Sequence, residues 1–166
     1  MRKYYFAFTL LELLIVLTII AIISCVAFPA YQTLVARMHA KIEIFRLYRA
    51  IQLTRSEAIK NNAIATICPG NDHLHCGGNW QDGYLVFIDN RGDGKVDPED
   101  KLVKYFPAMH DGGVIEWNSF PKRHYLQMAP SGFTNNQNGT FYYTAAKGGY
   151  KISLIVSKVG RIRVTS

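Results

Sequence analysis

The chain has 166 residues, which is room for one domain around one real core and not for several. Its hydrophobic share of 49% is ordinary for a globular protein but gathers near the N-terminus, and its net charge of +7 makes an anionic partner worth seeking. It contains no nucleophile elbow, phosphate loop or metal-helix motif, so an enzyme is the least expected class.

The chain opens with the short, positive stretch Met1-Arg2-Lys3 and reaches Phe8-Thr9-Leu10-Leu11-Glu12, followed by an unbroken apolar run from Leu13 to Phe28. Residues 8–29 are long enough to span a bilayer as a helix. The span is too long for the apolar region of a secretory signal, and no small-x-small cleavage site follows it. Glu12 is an acid inside this segment. Burying it in lipid costs on the order of 3 kcal/mol, so a partner within the membrane is expected.

Beyond Pro29, a residue that bends or interrupts a helix, the side chains Tyr31, Leu34, Val35, Met38, Ile42, Phe45, Tyr48, Ile51 and Ile59 fall mostly at steps of three and four. This spacing predicts a helix running to about Asn61, with Asn61-Asn62 as its stop and this stripe turned to the core. From Ala63 the texture changes to short β-type runs separated by Gly, Pro, Asn and Asp. Strands are expected at 63–67, 84–89, 102–106, 114–117, 124–128, 140–144, 150–156 and 161–165. The fold class is therefore α+β, with a long N-terminal transmembrane helix whose second half packs against antiparallel sheet.

Cys25 lies in the apolar run, while Cys68 and Cys76 bracket a short polar loop. Two close cysteines outside a membrane segment suggest a disulfide in an oxidising compartment. Zinc is the weaker alternative despite His73 and His75, because the spacing fits no standard finger. The run Asp89-Asn90-Arg91-Gly92-Asp93-Gly94, with Asp97 and Asp100 downstream, has some of the spacing of a calcium loop. It places Arg91 where a ligand oxygen is needed and reads better as a hairpin turn. No metal or cofactor is called for. The five histidines sit in unrelated contexts.

Charge is uneven along the chain. Lys and Arg stand at eight against three acids in residues 1–65, four against nine in 66–116, and seven against none in 117–166. Within the last segment, Lys158-Val159-Gly160-Arg161-Ile162-Arg163-Val164 places Arg161 and Arg163 two apart. On a strand they share one face, with Ile162 and Val164 turned to the core. Paired guanidinium groups without acidic neighbours suit phosphate, and Lys147, Lys151 and Lys158 add cations nearby. Such contacts drive sequence-independent DNA binding. Tyr142, Tyr143 and Tyr150 could stack on bases, although strand tyrosines are more often packing residues.

Several of these segments resemble one family. The run from Ala7 to Val16 resembles the type IV prepilin signature. Arg55-Ser56-Glu57-Ala58-Ile59-Lys60-Asn61-Asn62 and Trp80-Gln81-Asp82-Gly83-Tyr84-Leu85-Val86-Phe87-Ile88-Asp89 resemble the GspH/FimT branch of pilin-like proteins. Gly160-Arg161-x-Arg163 matches the motif of its FimT group, minor pilins implicated in DNA capture during natural transformation. The resemblance implies a leader at residues 1–7, cut between Ala7 and Phe8 by a prepilin peptidase that also methylates the new N-terminus. The family usually has Gly where this chain has Ala7.

The resemblance also implies that Glu12 pairs with the terminal amine of a neighbouring pilin subunit during assembly, and that residues 30–166 form a periplasmic head. The expected location is the inner membrane and then a cell-surface pilus of a Gram-negative bacterium. The expected function is a minor pilin that binds extracellular double-stranded DNA through Arg161, Arg163, Lys158, Lys151 and Lys147. The alternatives are a structural minor pilin or type II secretion pseudopilin that primes filament assembly, and an adhesin whose basic face meets an anionic cell surface.

Overall fold

Thr9 caps the long helix, its Oγ1 accepting from the Glu12 amide at 3.3 Å. In the computed structural model, which describes residues 9–72, 74–146 and 149–165, this helix (α1) runs Leu10–Asn61. At ~1.5 Å per residue it is a rod of about 80 Å. Pro29 lies inside it without ending it. The hydroxyls of Thr18, Ser24 and Thr33 fold back onto the carbonyls of Ile15, Ile20 and Pro29, which satisfies them without water. The most apolar 18 residues average a hydropathy of 2.8, and none is buried by the rest of the chain. A helix of this length and character can cross a bilayer. The prepilin processing residues Ala7 and Phe8 lie outside the described residues.

The helix stops where the sequence says it should. Asn62 takes a left-handed conformation, φ 49°, and its amide bonds the Ile59 carbonyl at 3.3 Å while Ala63 reaches Ala58 at 3.2 Å. Eight strands follow among the described residues. They are β1 (Ala65–Pro69), β2 (Gly83–Ile88), β3 (Lys101–Pro107), β4 (Val114–Phe120), β5 (Leu126–Met128), β6 (Asn138–Thr144), β7 (Lys151–Val156) and β8 (Ile162–Thr165). They form two antiparallel sheets, ordered β3-β2-β1-β5 and β4-β6-β7-β8. The second half of α1 packs on β1, β2, β5, β6 and β7, so the helix joins the two sheets.

The packed face of α1 corrects the sequence reading. Ala40, Ile44, Leu47, Ala50, Ile51, Thr54 and Ala58 are buried. Of the stripe expected in the core, only Ile51 is buried, with Val35 and Tyr48 half-buried. Tyr31, Leu34, Met38, Ile42, Phe45 and Ile59 are exposed, Phe45 by 57%. The helix is apolar on two sides, so both stripes satisfy a period near 3.6. The sheets take the stripe with three alanines, whose small side chains let strands come close. The bulkier stripe continues the exposed surface of the apolar N-terminal segment.

Trp80, in a short 3-10 turn (Trp80–Asp82), couples the sheets. Its ring meets Phe141 of β6 edge-on at 4.8 Å and Tyr84 of β2 at 6.1 Å. Gln81 extends the link, accepting from the Ile115 amide of β4 at 3.4 Å while its carbonyl takes the Met109 amide at 2.8 Å.

Asp89 organises the connection after β2. Its buried carboxylate accepts from Thr66 Oγ1 at 2.8 Å, Gln127 Nε2 at 2.9 Å, and the amides of Gly92 and Gly94 at 2.6 and 2.9 Å. Arg91 turns to Asp97 at 3.4 Å and Glu99 at 3.8 Å. Asp89 thus accepts from four protein donors, and the segment forms the turn that the glycines predicted. Among the described residues, no group of three His, Cys, Asp or Glu is placed to hold a metal.

Cys68 and Cys76 are joined as a disulfide. Asp72 organises the loop between them, accepting the Leu74 and His75 amides at 2.9 and 2.7 Å and facing His75 Nδ1 at 2.9 Å. The bond to the His75 ring, helped by the two amides, pulls the Asp72 carboxyl down to about 2.

Candidate nucleic-acid interface

β7 and β8 meet in a tight hairpin. The Ser157 amide donates to the Arg161 carbonyl at 3.0 Å, and the Gly160 amide to the Ser157 carbonyl at 2.9 Å. Gly160 is the residue the turn cannot vary. Its φ is 72°, and a Cβ there would stand 2.5 Å from the Gly132 carbonyl oxygen. Two contacts pin the hairpin from behind. Arg55 Nη1, on α1, donates to the Gly160 carbonyl at 3.2 Å. The Thr134 amide and hydroxyl both donate to the Lys158 carbonyl, at 3.0 and 2.9 Å.

The pinned turn presents charge to solvent. Lys158, Arg161 and Arg163 are all exposed, and none of them takes part in an ion pair among the described residues. Arg163 stands opposite Ile155, Ile155 opposite Thr140, and Thr140 opposite Asn118. This row runs across the outer face of the second sheet without an acid. Beside it lies a shallow hollow of about 380 Å³ lined by Asn138, Thr140, Ser157 and Lys158, among others. Glu116 is the one acid on the strands of this sheet. It sits three strands from Thr165 in the neighbouring row, or ~14 Å at the usual strand spacing.

The expected alternation on β8 is only half observed. Arg163 is exposed and Ile162 half-buried, but Val164 is 41% exposed; Arg161, also exposed, lies one residue before the strand. β8 is an edge strand, and Val164 lines an open hollow with Lys41, Phe45 and Ile152 instead of entering the core.

The other cations in the expected set do not gather here. Lys151 is exposed and pairs with Thr144 at the opposite end of β7. It stands six positions before Ser157, about 20 Å of strand. Lys147 lies outside the described residues. Of the three tyrosines, Tyr143 is buried, Tyr150 is half-buried beneath the Arg37 guanidinium at 5.7 Å, and only Tyr142 is exposed on the outer face. Sequence reasoning missed the roles of Arg55 and Thr134, which hold the hairpin through contacts from distant parts of the chain, and of Gly132, whose carbonyl leaves no room for a side chain at Gly160.

The histidines are also less scattered than the sequence suggests. His39 and His110 line one hollow of about 320 Å³ beside α1, with Asp111 and Tyr143. The Tyr143 hydroxyl donates to Asp111. Burial, reinforced by that bond, raises the tyrosine well above its usual range. His75 and His124 stand elsewhere in the fold, and His73 lies outside the described residues.

Two family models match the chain. The type II transport protein GspH model matches residues 43–160, and the prokaryotic N-terminal methylation motif matches residues 2–28. No curated protein matches it in sequence. Among solved structures, the type IV minor pilin FimU of Pseudomonas aeruginosa is similar in two crystal forms. The first has a TM-score of 0.62 at 16% identity, over 78% of this chain and 90% of FimU. The second has 0.57 at 17%, over 78% and 92%. At this identity the likeness establishes a shared fold.

Proposed function

The chain belongs to the family of the type II transport protein GspH, and from that membership we propose that it is a minor type IV pilin whose last hairpin binds extracellular double-stranded DNA without sequence preference. The observation that carries this reading is the pair Arg161 and Arg163. Arg163 is exposed on the edge strand β8 and Arg161 is exposed in the turn just before it; both are free of acidic partners among the described residues, and the turn is anchored by Arg55 and Thr134. Two guanidinium groups at strand spacing meet backbone phosphates, and Lys158 at the turn supplies a third cation. A hairpin held from behind loses little conformational freedom on binding. Natural transformation is the process this activity would serve.

The methylation motif implies cleavage by a prepilin peptidase and assembly with other pilin subunits. In this reading the cut falls between Ala7 and Phe8, and Glu12 pairs with the freed amine of a neighbour. The alternative, a structural subunit that primes a pilus or secretion pseudopilus, is favoured by the exposed stripe Leu34, Met38, Ile42 and Phe45. That face is suited to packing against neighbouring helices, and the two roles are compatible.

The test is a salt titration of double-stranded DNA binding by the full chain in nanodiscs. Three phosphate contacts predict a slope of about −3 in log affinity against log salt. No binding at low salt would leave the structural role alone.

A further inference from the structure

We propose that the base of the head carries a second basic surface, made by Arg37, Lys41 and Lys151, that docks onto anionic phospholipid headgroups while the protein is held in the membrane. The three residues come from distant parts of the chain. Arg37 and Lys41 are one helical turn apart on α1. The Arg37 guanidinium lies 5.7 Å from the Tyr150 ring centre, which brings the start of β7, and Lys151 with it, to the same height on the helix. Lys41 lines a hollow with Ile152, the residue after Lys151. All three cations are exposed, and none is in an ion pair among the described residues. Two nearby acids are engaged elsewhere, Glu43 by Arg46 at 3.2 Å and Asp111 by the Tyr143 hydroxyl.

The occupant follows from height above the membrane. The apolar run ends at Phe28, and α1 continues unbroken through Pro29 into the head. Arg37 is therefore ~12 Å and Lys41 ~18 Å along the axis from Pro29. Headgroups occupy roughly 5–8 Å on each side of the hydrocarbon, and the Debye length adds about 8 Å. Helical side chains tilt toward the N-terminus, so both stems reach back toward the lipid. Exposed Tyr31 sits between, at the level where membrane proteins place amphipathic aromatics. A cation close to an anionic surface strengthens binding by roughly fivefold, and one at the edge of the Debye length by less.

This surface is independent of the hairpin. Gly160 meets α1 at Arg55, 18 residues beyond Arg37 and about 27 Å farther along the axis.

The experiment places the isotope-labelled full chain in nanodiscs of phosphatidylcholine, with or without phosphatidylglycerol, each doped with a headgroup spin label. Amides of Gly149–Ile152 should broaden several-fold more in the anionic discs. The excess should vanish in high salt and in Arg37→Gln/Lys41→Gln/Lys151→Gln, while Arg161→Ala/Arg163→Ala keeps it. Lys151→Gln alone changes an exposed strand residue and serves if the triple variant does not fold; it should lose part of the excess. Equal broadening in both lipids, or an excess that survives the substitutions, would overturn the proposal.

Discussion

Arg55 Nη1 donates to the carbonyl oxygen of Gly160 across 3.2 Å, joining the long helix to the hairpin that carries Arg161. A half-buried bond from a charged donor is worth about 2 kcal/mol. Arg55→Ala should therefore increase amide exchange at Ser157 and Gly160 while the sheet core stays protected. DNA affinity should fall although no surface cation of the hairpin has been removed.

Gly160→Ala separates geometry from charge. The side chain would meet the Gly132 carbonyl in a backbone conformation with φ 72°. The cost should exceed about 1 kcal/mol, read as a drop in Tm. A DNA affinity reduced in proportion to hairpin disorder would show that the arginines act only when held together.

Arg161→Ala/Arg163→Ala should flatten the salt slope of DNA binding by about 2. Lys151→Ala should leave the slope nearly unchanged, because it stands about 20 Å away along β7. A loss of equal size with Lys151→Ala would mean the bound DNA runs the length of the strand.

The two apolar stripes of α1 should respond differently. Leu47 is fully buried, so Leu47→Ala should cost about 2–5 kcal/mol of head stability. Phe45 is exposed, and Phe45→Ala should leave the thermal transition within about a degree or two while weakening incorporation into filaments, scored by pilus yield.

The disulfide loop carries a pH signature. The Asp72 carboxyl is held near 2 by the bond to His75 and by two amides. Its folded value is below the unfolded one, so its contribution is full above about pH 4 and is lost as pH falls toward 2. In His75→Ala the Asp72 titration, followed by NMR, should move up toward the ordinary carboxylate value. Reducing the Cys68–Cys76 bond should cost about 2–3 kcal/mol by the loop-entropy estimate.

Much of this protein was legible one residue at a time. The apolar run, the Asn61-Asn62 stop, the eight strands and the nearby cysteines are local signals: a length, a left-handed cap, an alternation and a short spacing. Each is set by interactions within a few residues, so the structure repeats them with small shifts at the ends. The exposure of Arg161 and Arg163 is also local in origin, because charged residues flanking the half-buried Ile162 turn to solvent.

The packing of the helix on antiparallel sheet was also foreseen; what the sequence by itself left open was which residues of distant segments meet. A helix apolar on two sides does not say which side the sheets will cover, and only the close approach of the strands selected Ala40, Ile44, Leu47 and Ala50 over Leu34, Met38, Ile42 and Phe45. Five cations near the C-terminus resembled one site until β7 put Lys151 at the opposite end from the Lys158 turn. Val164 was expected inside by alternation, yet an edge strand has no neighbour beyond it to complete its cover. Local chemistry thus determined the elements and their exposed charges. The tertiary fold decided which charges share a surface, because distance in space is set by how the elements pack and not by their order along the chain.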